Sequence, residues 1–297
     1  MSRRCSSKSL LAEDKTALLP LSLLALVRKF LRDLNLDRPV EGISKLAFWN
    51  KRLTRPCENP QAVIFHSLHK CASMFMYQVF FRLSRAKRLP YYSPNHIEPT
   101  DHLVIPDIDH NFCFGPVRDF RLNNPELSSS VSTKRIFQIR DPRDILCSEY
   151  YSFGWNHTDK DFTSKAKQTR EQIRNQTIDE YLLDEEGGTF RLCRRLNPLL
   201  QNLGASNVTL VTYEEMVSNF PNWLRKVIEP FDFNPIYKSF LIKKLCIKYK
   251  NEFRPDASNS HKRNVKPGEH RRKLKPATIA ELNRRLAPYL EATGYPL

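Results

Sequence analysis

Residues 62–83, AVIFHSLHKCASMFMYQVFFRL, constrain the fold more than any other stretch. Ala62–Ser67 is a short, mostly apolar run of the kind that makes a buried strand. Leu68–Ser73 is small and polar with one cation, Lys70. From Met74 the apolar residues Phe75, Val79, Phe80 and Leu83 recur at helical spacing. A strand, a tight lysine-bearing loop and a helix together can cradle a phosphate. The loop amides and the positive helix N-terminus face the anion, and the lysine adds a full charge. The same unit also occurs as a plain crossover in α/β proteins. It is not a Walker A loop, because no glycine occurs between Gly42 and Gly115.

A second unit of this kind follows. Lys134–Arg140, KRIFQIR, has strong β character and runs straight into RDPRDILCSEYYSF. Pro142 suits a first helical turn, and Asp144 is an acid near that N-terminus. Asn207–Thr212, NVTLVT, reads as a third strand of the buried type, leading into Tyr213–Met216 and helices to about Tyr249. Between these units, Leu89–Pro125 carries six prolines and reads as loops, with HLVIP and NFCFGPVRDF as its strands. Gly154–Thr177 is strongly polar, which fits either a mobile lid or a solvated helix. Helical spacing returns over Thr177–Leu203, and Pro276–Gly294 closes the chain as an amphipathic helix. The order predicts an α/β domain over residues 61–297: a P-loop-like central parallel sheet flanked by helices, with helical additions. Residues 1–60 are expected to form a helical extension packed on it. Within that extension Ala17–Leu36 is amphipathic, so peripheral membrane contact is the alternative.

The formal charge of +16 calls for an anionic partner: nucleic acid, a membrane surface or a phosphorylated ligand. Seven cysteines, odd in number and without a CxxC pair, argue against a disulfide scaffold or a zinc site and for a reducing cytoplasmic setting. The apolar patch Leu18–Val27 is about half the ~20 residues that span a bilayer.

Four separate pieces between Ala62 and Tyr295 resemble the sulfotransferase family, whose donor is 3′-phosphoadenosine 5′-phosphosulfate (PAPS). His69-Lys70-Cys71-Ala72-Ser73 resembles the 5′-phosphosulfate loop, commonly Pro-Lys-Ser-Gly-Thr-Thr. Arg140 followed by Ser148 resembles the 3′-phosphate motif. Val211-Thr-Tyr213-Glu-Glu-Met216 is similar to a strand-end Tyr-Glu-Asp-Leu/Met element, and His261–Arg271 to the C-terminal Arg-Lys-Gly-x-x-Gly-Asp-Trp-Lys loop. The small-residue style of the first loop is more like bacterial members. Met74 replaces a threonine, Val265 a glycine and His270 a tryptophan.

The resemblance implies sulfonyl transfer from PAPS, with 3′-phosphoadenosine 5′-phosphate (PAP) as product, to a hydroxyl or amine of a lipid, phenol or sugar. PAPS carries about four negative charges near neutral pH, so several cations must converge on it. Lys70 would neutralise the leaving group. Ser73 and the amides of Cys71, Ala72 and Ser73 would hold the 5′-phosphate. Arg140 and Ser148 would take the 3′-phosphate, closed over by Arg263 with the amides of Asn264 and Val265. Tyr213 would lie beside the adenine and Phe75 would stack on it. For the general base, His110 and Asp119 are the nearest candidates, with His157, after the second helix, a further one. An aromatic acceptor lining is expected from Tyr91, Tyr92, Phe112, Phe114 and Trp155. No metal is required by this chemistry.

Three other classes stay open at this point. A nucleotide kinase would need the missing Walker A loop. A nucleic-acid-binding protein would need a continuous basic face, whereas much of the charge here falls in the donor-site loops, which argues against that partner. A donor-binding but inactive homologue is compatible with Met74 and with the absence of a histidine from FCFGPVRDF.

Overall fold

The computed structural model describes residues 61–93, 111–118, 120, 132–156, 164–184, 188–253 and 265–297, which all belong to one compact unit, Glu41–Leu297. The expected N-terminal extension and the strand HLVIP lie outside the described residues. At the centre is β1 (Ala62–Ser67), buried at every position as its apolar run requires. It pairs in parallel with β3 (Phe112–Val117) on one side and β4 (Thr133–Ile139) on the other. The two-residue β2 (Tyr91–Tyr92) and β5 (Val208–Thr212) complete a parallel sheet of order β2-β3-β1-β4-β5. The chain leaves β1 for one side of the sheet and then crosses to β4 and β5 on the other. Its direction reverses between β1 and β4, and in such sheets ligands bind outside the carboxyl ends of the strands at that switch point.

Alternation along the strands feeds two large cores and a smaller cluster between β1 and β3. On one face Phe65, Ile136 and Val211 pack with Met76 and Phe80 of α1 (Ser73–Lys87). The same core takes Trp223 of α7 (Phe220–Ile228) and Leu241 of α8 (Pro235–Lys248); before α7 lies α6 (Tyr213–Ser218). On the other face Phe137 and Ile139 meet α2 (Pro142–Tyr151), α4 (Ile178–Leu183) and α5 (Gly188–Asn202). The closing helix α10 (Pro276–Thr293) adds Leu282 and Leu286 to that core, and the short α9 (Glu269–Lys273) precedes it.

Two large polar side chains inside these cores are partnered, as burial demands. Trp223 Nε1 donates to Gln138 Oε1 at 3.0 Å. Arg135, on β4, is buried, and its partners among the described residues include no carboxylate. Its guanidinium donates to the Phe120 carbonyl (2.8 Å) and Asn202 Oδ1 (2.5 Å), lies 4.7 Å from the Phe137 ring centre and has its pKa pushed down to about 10 by burial. Arg135 Nε also donates to Nε2 of the buried His66 (3.4 Å). An arginine cannot accept, so His66 carries its own proton on Nδ1. Gly115, at φ 140°, lets β3 approach β1: a Cβ there would lie 2.6 Å from the Phe65 carbonyl oxygen.

Three sequence expectations are corrected. β5 is an edge strand with only Val211 fully buried, because it ends the sheet order. Phe112 and Phe114 are not loop aromatics; they are buried in β3 and pack with Ala62, Ile64 and Val117. Tyr91 is likewise buried, with its hydroxyl donating to the Gly115 carbonyl at 2.6 Å. Trp155 is exposed, on a π-helical turn, Ser152–Asn156, that continues α2. The described part of the polar stretch beyond it is the helix α3 (Ser164–Arg174), with Ile173 buried. Arg170 and Arg174 both donate from Nε to the Gly154 carbonyl, at 3.0 and 2.7 Å. That helix is therefore pinned to the π-turn.

Candidate anion-binding site

The loop after β1 makes its turn with two non-glycine residues in the left-handed region, Lys70 (φ 67°) and Ala72 (φ 60°). Between them the buried Cys71 points inward, and its N–H donates to the Leu68 carbonyl at 3.3 Å. The Cys71 amide is thus engaged within the loop rather than presented outward, which corrects the role expected for it. Ala72 is the N-cap of α1 and offers no side-chain acceptor, and the first turn holds no acid. The amides of Ser73, Met74 and Phe75 keep the positive character of a helix start. The left-handed region costs an L-residue about 1–2 kcal/mol, and glycine's extra unfolded-state freedom returns about 0.5–1 kcal/mol of that. Ala72→Gly is accordingly expected to stabilise the chain by up to about 1 kcal/mol in urea unfolding.

Three strand ends bring three cations to this edge. Arg118 follows β3, Lys70 follows β1 by the loop, and Arg140 follows β4 directly. Arg140 is only 5% exposed. Its Nη1 donates to the Lys70 carbonyl at 2.8 Å, and its guanidinium carbon lies 4.3 Å from the Tyr213 ring centre. Its Nε and Nη2 are buried with no hydrogen-bond partner among the described residues. Such orphaned donors are rare and cost about 1–3 kcal/mol each. Lys70 Nζ donates to Ser152 Oγ at 2.5 Å and lies 5.8 Å from the Phe153 ring centre. Burial pushes the Lys70 pKa down; Glu149 opposes this, while Arg118 and Arg140 add to it. Arg118 Nη1 is 3.2 Å from His69 Nε2. Glu149, buried on α2, accepts from Arg195 at 3.1 Å. Burial pushes the Glu149 carboxyl up, against the pull of Arg195 and Lys70.

The β4–α2 corner is held by carboxylates. Asp141 caps α2 by accepting from the Arg143 N–H (3.0 Å) and also takes the Arg143 guanidinium at Nε (3.0 Å) and Nη2 (2.8 Å). Arg143 reaches on to Asn283 Oδ1 (2.6 Å) and the Pro296 carbonyl (2.8 Å), so it ties the corner to the C-terminal helix. Glu214 accepts from the Asp141 N–H (3.0 Å) and the Tyr295 hydroxyl (2.7 Å). Asp144 is fully buried and accepts from the Gly268 N–H (2.6 Å), the His270 N–H (2.9 Å) and His270 Nδ1 (2.7 Å). Tyr213 meets the same segment, its hydroxyl donating to the Val265 carbonyl at 2.8 Å.

For Asp144, burial raises the pKa, but the hydrogen bonds from His270 outweigh it and the net shift is downward. A depressed carboxyl stabilises the fold above its unfolded pKa and loses that contribution as pH falls through the folded value. Asp144→Asn is expected to cost about 2 kcal/mol at neutral pH. The gap between variant and wild type should close as pH falls below the carboxylate range, measured by urea unfolding against pH.

Of the residues singled out in the sequence, Lys70, Ala72, Ser73, Arg140, Tyr213 and Val265 gather at this edge. Ser148 is half-buried on α2; Ser152, one turn further on, is the residue that takes the Lys70 ammonium. Phe75 is buried among Phe220, Trp223, Tyr249 and Phe253, with ring centres 5.0–6.2 Å away. His110, Asp119, His157, Arg263 and Asn264 lie outside the described residues. Arg118, Glu149, Ser152 and the Asp144–His270 pair were missed. The four-residue step from Ser148 to Ser152 on one helix face was the available signal for Ser152.

Fold and edge together define a doubly wound α/β protein with converging cations outside the carboxyl ends of its central strands. No family model and no curated protein sequence matches the chain. Among solved structures it is similar to mouse sulfotransferase SULT7A1 complexed with PAP (14% identity, 83% of this chain and 89% of that one, TM-score 0.47). It is also similar to retinol dehydratase in complex with androsterone and inactive cofactor PAP (14% identity, 82% and 85%, TM-score 0.45) and with retinol and PAP (14% identity, 84% and 86%, TM-score 0.44). Scores this low leave the residue roles to be argued from this chain's own geometry.

Proposed function

We propose that the chain transfers a sulfonyl group from PAPS to a hydroxyl or amine of a small-molecule, lipid or carbohydrate acceptor. The observation that carries this is Arg140: a buried guanidinium with Nε and Nη2 unpartnered among the described residues, joined through its Nη1 to the Lys70 carbonyl. A phosphate can supply acceptor oxygens to both orphaned groups, and a guanidinium fork matches that geometry. A second anionic centre would meet Lys70 and the first-turn amides of α1, one strand away. A donor with two separated anionic groups suits two such centres on neighbouring strands, and the motif resemblance gives that donor a name.

In this reading Arg140 holds the 3′-phosphate. Ser73 and the amides of Ala72 and Ser73 hold the 5′-phosphate, and Lys70 leaves Ser152 to neutralise the charge that builds on the leaving oxygen. The Tyr213–Val265 bond and the Asp144–His270 clamp hold the C-terminal segment beside Arg140, where Arg263 and the Asn264 amide would complete the closure. The general base falls to His110 or Asp119.

Labelled-sulfate transfer from PAPS to a library of phenols, sterols, sugars and hydroxylipids tests the activity. Transfer that is lost in Lys70→Met supports it. Retained PAP binding with no transfer to any acceptor would instead assign the chain to the donor-binding, inactive class.

A further inference from the structure

Helix α8 (Pro235–Lys248) turns one face to the core, where Leu241 and Leu245 are buried, and carries an unusual opposite face. There Ile236 is 83% exposed, Phe240 57% and Ile247 77%, with Tyr237 beside them at 41%. Ile236, Phe240, Lys243 and Ile247 follow at steps of four, three and four, so they form one stripe. Lys244 and Lys248 are exposed along its edge, and the helix sequence PIYKSFLIKKLCIK contains no acid. Phe240 is not a loose side chain. A ladder of rings runs from the buried Phe231 to Phe233 (6.0 Å), Tyr237 (5.6 Å) and Phe240 (6.2 Å).

Contiguous large apolar side chains in water mark a contact surface. The charge pattern selects the occupant. Two copies meeting at this face would set lysines against lysines, which opposes self-association. A nucleic acid would satisfy the lysines but leave Ile236, Phe240 and Ile247 without a role. Lysines interleaved with aliphatic and aromatic side chains fit the boundary between phosphate headgroups and acyl chains. At 14 residues α8 is shorter than the ~20 needed to span a bilayer. We infer that α8 is a docking face for an anionic phospholipid bilayer. Ile236, Phe240 and Ile247 enter the acyl boundary, and Lys243, Lys244 and Lys248 meet lipid phosphates.

Flotation of the full chain with phosphatidylcholine vesicles, and with mixed phosphatidylserine–phosphatidylcholine vesicles, tests this. The chain should float with the mixed vesicles and largely stay behind with the neutral ones. The pair Phe240→Ser and Ile247→Ser should lower partitioning at least about tenfold. Lys243→Gln with Lys244→Gln should lower it about twentyfold at low salt. These positions are exposed, so an unchanged thermal midpoint is expected and certifies the fold of each variant. Failure to bind anionic vesicles would overturn the inference. So would binding that survives both pairs, which would belong to another segment. Concentration-dependent self-association abolished by the serine pair, without vesicle binding, would assign the face to a second copy instead.

Discussion

Arg140→Ala is expected to lower the affinity for PAP by two to three orders of magnitude, about 3–4 kcal/mol, as truncating one partner of a buried charge pair generally does. The loss should not come from unfolding. Arg140 has two buried donor groups without partners among the described residues, a standing cost of about 1–3 kcal/mol for each. Substitution removes that cost together with one hydrogen bond to the Lys70 carbonyl, typically about 1 kcal/mol. The thermal midpoint without ligand should therefore stay level or rise. Saturating PAP should raise it strongly in wild type and little in the variant, because stabilisation follows the ratio of ligand concentration to Kd. Arg140→Lys should fall between, since an ammonium keeps the charge and loses the planar fork. A variant that lost binding and stability together would instead make Arg140 a structural residue.

Lys70→Met is expected to reduce sulfonyl transfer about a thousandfold while weakening PAP binding only about tenfold, because charge stabilisation at a leaving group acts mainly in the transition state. The methionine keeps the bulk of the side chain and removes the bond to Ser152. The pH profile provides a second reading. Burial, with Arg118 and Arg140 adding to it, holds the Lys70 pKa below 10.5. The ammonium form is needed, so kcat/KM for PAPS, which reports the free enzyme, should decline on the alkaline side at a pH lower than an ordinary lysine would give. Equal losses in binding and transfer would place Lys70 in ground-state binding alone.

Much of this site was legible because its signals are local. The apolar run Ala62–Ser67 is β1 residue for residue. Pro142 marks the first turn of α2 after a strand ending in IR, which puts Arg140 at the sheet edge. The closing helix read over Pro276–Gly294 is α10, Pro276–Thr293, with Gly294 as its left-handed cap. What stayed hidden depends on distance along the chain. Asp144 read as an acid suited to a helix dipole, and His270 as a departure from a motif. Their contact joins residues 126 apart and explains both. Phe112 and Phe114 sit in a proline-rich stretch, where an aromatic loop and a buried strand look alike until the neighbouring strands are known. NVTLVT is apolar enough for a central strand, and only the sheet order makes it an edge. The buried Arg135 breaks the apolar pattern of β4, and its acceptors, Phe120 and Asn202, belong to distant segments.

Isothermal titration of PAP into the wild-type chain, then into Arg140→Ala and Lys70→Ala, addresses the site most directly. One PAP should bind per wild-type chain, with affinity collapsing in Arg140→Ala and falling less in Lys70→Ala. Absence of binding to the wild type, or tight binding that survives both substitutions, would contradict a donor site at this edge.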